Sequence, residues 1–310
     1  MKKIFTLIIL AMAVVTAAQA QTITINKTDG TKVTYDASEV SSIDFAPKSD
    51  TTTIHSFTGY LLVSSAYFQN MYYGDAAQMS VLAVGDKYLC RFDDATWGHG
   101  LFNITLDKGT ISGTGSVTMV NPQGGASTTH EATMSGTMTH ITISIPDLMG
   151  GTTISWNYGD PRAYKTAGTY SAKDNIVVGG VADYSYSTND SVDYTVVAVN
   201  DSTINLVVPE ESFDNLAMMG NLVMGTYTIS NIAWNAAENA YVRSYGSDGI
   251  TFDCTIAGKK GQYEFTNSDC KVVVRPNADG TLTVDNTYYP GRMPMSIVST
   301  FTGTRKNAAH

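Results

Sequence analysis

The densest polar cluster in this sequence is Asp93-Asp94 with Trp97 and His99. Two carboxylates and an imidazole are the groups of general acid–base catalysis. Adjacent residues on an extended chain point to opposite faces, so these two carboxylates do not form a pair. The simpler reading is a solvated loop with Trp97 packed over one end of the fold. His130-Glu131 begins like a zinc-binding HExxH helix, but Met134 stands where the second histidine belongs. Residues 128–138 also alternate like a strand, which removes the helical spacing that such a site requires. Asp29-Gly30 and Asp279-Gly280 are reminiscent of calcium loops, yet the first ligand position would fall on Ile25 or Arg275, and neither is a ligand. Both read better as hairpin turns. No GxSxG elbow, phosphate loop or Cys–His signature is present. Cys90, on a predicted strand without a placed base, reads as a core thiol. No catalytic residue, metal ligand or cofactor is expected.

The apolar clusters point to binding rather than catalysis. Tyr67-Phe68-Gln69-Asn70-Met71-Tyr72-Tyr73 lies between predicted strands. Met218-Met219, Met224 and Tyr288-Tyr289-Pro290, followed by Met293 and Met295, lie in loops or strand ends further on. Methionine and tyrosine adapt to irregular shapes and combine an apolar body with a polar tip. A mouth lined by Tyr67, Phe68, Met71, Tyr72, Tyr73, Trp97, Met218, Met219, Tyr288 and Tyr289 suits a small apolar or amphipathic ligand. The plain alternative is that these residues cap the ends of a fold and exclude water.

The elements that must position these residues are strands. Charged residues make up only 15% of the chain, below the usual level of roughly a quarter. Thr, Ser and Gly take up the difference, as in secreted all-β proteins. Runs such as Thr281-Leu282-Thr283-Val284 and Ile141-Thr142-Ile143-Ser144-Ile145 alternate with period two, which puts apolar side chains on one face. Two long stretches also match each other. Val81, Ala83 and Val84 sit over Val196, Ala198 and Val199. Gly85-Asp86 sits over Asn200-Asp201, and Gly109-Thr110 over Gly225-Thr226. A repeat at fixed spacing names the building unit, here an antiparallel β-module used twice. The small side chains at Val81, Ala83, Val84, Val196, Ala198 and Val199 lean toward an open lumen. Asn235–Lys260 reads as an insertion in the second module, and Ser212–Gly220 as a short helical turn.

Residues 1–20 read as an export signal: Lys2 and Lys3, the apolar run Ile4–Val15, then Ala18-Gln19-Ala20 as the cleavage site. No run approaches the ~20 apolar residues of a membrane-spanning helix. The formal charge of −9 repels nucleic acid. Residues 21–47 read as a hairpin segment: Ile23, Ile25 and Val33, Tyr35 flank Thr28-Asp29-Gly30, with a short strand at Ser42–Phe45. A linker follows over Pro47–Thr53. Export permits disulfides. Cys254 and Cys270, on predicted neighbouring strands, are the candidate pair, which leaves Cys90 as a buried thiol.

Many short sequential strands with tight turns close into barrels, and about eight strands give an interior that side chains fill or that holds one small ligand. The expected modules are residues 54–160 and 165–306. Each resembles the calycin-like β-barrel domain of secreted proteins from Gram-negative gut bacteria. The residues that carry the resemblance are Gly168-Thr169-Tyr170-Ser171, with Thr58-Gly59-Tyr60 as the looser counterpart, the paired hairpins, and the closing Phe301–Lys306, loosely matched by Trp156-Asn157-Tyr158-Gly159. Asp29-Gly30-Thr31, Val33, Tyr35 and Ile43-Asp44-Phe45 also resemble an element common at the start of such exported proteins. The first module lacks the clean Gly-Thr-Arg-Lys ending. The resemblance implies two tandem antiparallel up-and-down barrels of lipocalin-like shape and no shared catalytic residues. The expectation is a non-enzymatic protein of the periplasm or cell surface. Its barrel lumen or mouth would hold a small hydrophobic ligand; alternatively, filled barrels would act on a cell-surface protein partner through loops and outer faces.

Overall fold

The computed structural model describes residues 22–26, 30–41, 51–119, 126–217 and 219–306. The expected export signal, the strand Ser42–Phe45, most of the linker and Met218 lie outside the described residues. The chain divides into two compact units, 1–50 and 51–310. In the first, β1 (Thr22–Asn26) and β2 (Lys32–Asp36) pair antiparallel, with Ile25 opposite Val33 and Ile23 opposite Tyr35.

The second unit holds two closed antiparallel barrels of eight strands each. The first barrel begins with β3 (Thr51–Ser64), which carries the short partner β4 (Met71–Tyr72). It continues through β5 (Ala77–Val84), β6 (Lys87–Asp94), β7 (Gly98–Asp107) and β8 (Thr110–Met119). It ends with β9 (Thr128–Thr137), β10 (His140–Ile145) and β11 (Thr152–Asn157). Each strand pairs with the next, and β11 closes on β3 through Trp156 opposite Leu61 and Ile154 opposite Val63. The period-two pattern is the cause. On β7, Phe102 and Ile104 turn inward while His99, Leu101 and Asn103 face out. On β10 and β11, Ile141, Ile143, Ile145, Ile154 and Trp156 all turn inward. Trp156, Phe92 and Phe102 are wholly enclosed and fill the interior. The Trp156 indole N–H donates to the Ala77 carbonyl at 3.0 Å, so even the polar edge of the plug is satisfied. Gly59 on β3 makes room for that indole: a Cβ there would lie 2.6 Å from the ring.

A short helix, α1 (Arg162–Thr166), leads into the second barrel. Its strands are β12 (Gly168–Ala172), β13 (Asp174–Val178), β14 (Ser185–Ser187), β15 (Val192–Ala198), β16 (Thr203–Val208), β17 (Glu211–Leu216), β18 (Gly220–Met224), β19 (Tyr227–Asn235) and β20 (Ala240–Ser244). They continue with β21 (Thr251–Ile256), β22 (Lys259–Glu264), β23 (Lys271–Pro276), β24 (Thr281–Tyr288) and β25 (Ile297–Arg305). The wall runs β12-β15-β16-β19-β20-β23-β24-β25, and β12 closes on β25. At Lys173 the first strand leaves β15 but keeps following β25 as β13, with β14 on its other side. The remaining strands form a separate four-stranded sheet, β17-β18-β21-β22. It is built from two excursions of the wall, one between β16 and β19 and one between β20 and β23. Their apolar residues Phe213, Leu222, Met224, Phe252 and Cys254 join the barrel core.

Four sequence expectations change here. Ser212–Gly220 is not a helical turn: β17 and the start of β18 occupy it. The insertion is not one segment at 235–260 but two hairpin-like excursions that find each other across Met224 and Cys254. The copied stretches agree through β5/β15 and β6/β16 but then diverge. Gly109 precedes the fifth strand of its barrel, whereas Gly225 precedes the fourth, because β17 and β18 intervene. The Cys254–Cys270 bridge is not formed, and all three cysteines are buried free thiols. Cys254 lies in the extra sheet, whereas Cys270 immediately precedes β23 of the barrel wall, so they are not on neighbouring strands.

Candidate functional site

The structure separates the two carboxylates of the Asp93-Asp94 cluster. Asp93 pairs with Arg91 and with the His99 imidazole, at 2.8 Å to His99 Nδ1. Burial acts to raise the Asp93 pKa, but hydrogen bonds from Arg91 and His99 outweigh it and hold the carboxyl below its ordinary value. Asp94 instead accepts the backbone N–H groups of Thr96 and Trp97, both at 2.8 Å, which caps the turn. His130 meets Asp147 at 3.1 Å in a surface pair. Among the described residues no group of three His, Cys, Asp or Glu side chains is placed to hold a metal ion.

The nine described residues of the ten expected to line a ligand site fall into different places. Phe68, Tyr73 and Trp97 form a plug on the first barrel: the Tyr73 and Trp97 rings meet edge to face at 5.1 Å, with Phe68 6.3 Å from Tyr73. Tyr67 and Met71 are largely exposed. Tyr72 turns toward α1, where its ring lies 6.1 Å from Tyr164 with 15° between the planes. In the second barrel Tyr288 is an interior side chain, and Met219 and Tyr289 pack on the core as half-buried residues. Of the six small residues read as lumen-facing, only Val81 and Val196 are buried; Val199 is exposed. Strand alternation and the end of β15 explain this, since alternate residues must face out.

Two sites emerge that the sequence reading missed. The first is inside the second barrel. Asp174 and Glu211 are enclosed, with 0% and 1% of their surface exposed. The Ser299 hydroxyl donates to both Asp174 oxygens, at 2.9 and 2.8 Å. The Tyr194 hydroxyl donates to Glu211 Oε1 at 2.7 Å. The two carboxyls also hydrogen-bond to each other, with burial pushing Asp174 up to about 7 and Glu211 well above its ordinary value. Two buried like charges disfavour each other, so the pair holds a proton between its carboxyls rather than two negative charges. Beside the pair, Tyr245 donates to Asn286, which donates to Tyr227. The Tyr288 hydroxyl has no hydrogen-bond partner among the described residues. The sequence carried no signal for this site, because its members come from separate strands.

The second site is on the outside, where the barrels meet. A cleft of about 340 Å³ is lined by Gln69, Asn70 and Tyr72 of the first barrel, by Tyr164 and Ala167 of the inter-barrel linker that contains α1, and by Val196–Val199 at the end of β15. Tyr60 backs it, 5.8 Å from Tyr164 and 6.5 Å from Tyr72. The linker is tied down on both sides. Lys165 reaches Asp75 at 2.5 Å, and the Ala163 N–H donates to the Asp201 carbonyl at 3.0 Å. The Arg162 guanidinium pairs with Asp160 and lies 4.2 Å over the Trp234 ring. Burial lifts the Tyr60 and Tyr72 hydroxyls to about 12, helped by Asp201 at Tyr60 and by Asp75 and Asp160 at Tyr72. Only Tyr72, of the residues expected to bind, lies in this cleft. Tyr164 was missed because it sits in the connection between modules.

Residues 166–304 match the family model of the calycin-like beta-barrel domain, which spans the second barrel. No curated protein matches the chain. Among solved structures, the chain is similar to a Bacteroides fragilis protein provisionally described as an outer membrane protein. The likeness covers 81% of this chain and 97% of that one, at 19% identity and a TM-score of 0.49.

Proposed function

We propose, for a chain whose second barrel matches the calycin-like β-barrel domain and whose first barrel repeats its eight-stranded closure, a non-enzymatic binding protein of the cell envelope that takes a small amphipathic ligand at an outer cleft. The observation that carries this reading is where the aromatic side chains lie. Trp156, Phe92 and Phe102 occupy the first interior, and Tyr194, Phe265, Tyr288 and Phe301 the second, which favours an outer site over either lumen. Tyr72 and Tyr164 instead present their rings to a cleft at the barrel junction. Clefts with apolar walls and a few polar groups are where small ligands are held. Export, read from residues 1–20, supports the envelope.

Native mass spectrometry of the chain from residue 21, equilibrated with a panel of amphipaths, tests the reading. Adducts that form with the unaltered chain and vanish in a Tyr72→Ala, Tyr164→Ala double variant are the expected result. Adducts that survive in that variant place the ligand elsewhere and sink the proposal.

A second reading has its own observation. On the β1–β2 pair, Ile25 and Tyr35 are each 46% exposed, and a two-stranded sheet has edges that a partner strand can extend. In this reading the hairpin is a docking element for a cell-surface protein. A pull-down whose partners are unchanged by deleting residues 21–47 would dispose of it.

A further inference from the structure

We propose that the junction cleft selects a small organic cation, an alkylammonium or quaternary ammonium carried on an apolar body, whose charged head faces the tyrosine rings and Asp201. The inference rests on the cleft being the binding site and adds the chemical class of its ligand.

Three tyrosines converge there. The Tyr72 and Tyr164 rings are nearly parallel, and Tyr60 stands within 6.5 Å of both. Ring faces carry negative potential, and a cation within about 6 Å of a ring centroid is attracted to it. The surrounding charge has the same sign. Asp75, Asp160 and Asp201 all act on these tyrosines, and each makes their ionisation harder. Two of the three carboxylates are answered within the chain, Asp75 by Lys165 and Asp160 by Arg162. Asp201 has no ion pair among the described residues, so one negative charge beside the rings remains open. The linker already shows the same chemistry once: Arg162 rests on the face of Trp234. Val197 and Val199, which also line the cleft, are 46% and 45% exposed, and they offer an apolar strip for the ligand's body. A net charge of −9 draws cations toward the surface and repels anions.

The test compares benzyltrimethylammonium with neopentylbenzene, its uncharged carbon isostere, by saturation-transfer NMR on the chain from residue 21. The cation should bind about tenfold or more tightly than the isostere, and more weakly as salt is added. Asp201→Asn and Tyr164→Leu should each weaken the cation several-fold and leave the isostere unchanged. Asp201 lies on an exposed turn, so its variant reports charge without disturbing the fold; melting curves confirm this for both variants. Equal binding of cation and isostere, both lost in the Tyr72→Ala, Tyr164→Ala variant, overturns the charge selection and leaves the cleft as a binding site. Binding of neither probe, while the amphipath panel still gives adducts lost in that double variant, also overturns it. Binding of neither probe and no such adducts removes the cleft itself.

Discussion

At the scale of single residues, the Asp174–Glu211 pair gives the clearest solution behaviour. Both carboxyls have folded pKa values raised by burial, Asp174 to about 7. In the unfolded chain they titrate near the ordinary carboxylate values. Between about pH 4 and pH 7 the folded protein therefore holds more protons than the unfolded one, and stability falls as pH rises through that window. For Asp174 alone the loss is on the order of a few kcal/mol. Melting temperature should be higher at pH 5 than at pH 8, and Asp174→Asn, which cannot ionise, should flatten the profile. A profile with the same slope in the variant would show that other groups set it. Gly59 offers a second measurement. A Cβ there meets the Trp156 indole at 2.6 Å and the Asn157 carbonyl at 2.5 Å, so Gly59→Ala should destabilise by roughly 1–3 kcal/mol through overpacking, read as a lowered denaturation midpoint. Neither feature was legible in the sequence. Nothing in the sequence marks Asp174, and only the pairing of β25 with β13 brings Ser299 to it.

At the scale of elements, local pattern was a good guide, and the sequential pairing of the first barrel followed from it, but the pairing of the extra strands in the second did not. All eight wall strands of the first barrel were readable from alternation and turn residues. In the second barrel the alternation of β15, β16, β24 and β25 was equally plain. What alternation cannot give is which strand lies beside which. The cysteine pair shows the consequence. Cys254 and Cys270 were expected on adjacent strands, but the first belongs to the extra sheet and the second to the barrel wall. Burial pushes the Cys90 thiol up to about 12 and the Cys254 thiol up to about 11, so at neutral pH they are protonated and poorly reactive. Alkylation in denaturant without reductant should add three labels per chain, and the folded protein should label slowly. A mass lower by one disulfide would contradict this.

At the scale of the whole molecule, the two barrels carry separate hydrophobic cores. Trp156 belongs wholly to the first. Trp156→Ala should cost about 3–5 kcal/mol and lower the unfolding transition of the first barrel, while amides of the second keep their protection in hydrogen exchange. Loss of protection throughout would mean that the cores melt as one. The presence of two modules was legible because the sequence repeats. The site between them was not, because it depends on how a five-residue helix seats Tyr164 against Tyr72.

Each barrel is sealed by pairing its first wall strand with its last, β3 with β11 and β12 with β25. The chain thus enters and leaves each barrel along one seam. A unit of this kind behaves as a cassette: it can be lifted out, duplicated or spliced into another polypeptide without re-routing the strands that remain. Two such cassettes in series meet across a crevice that neither owns alone.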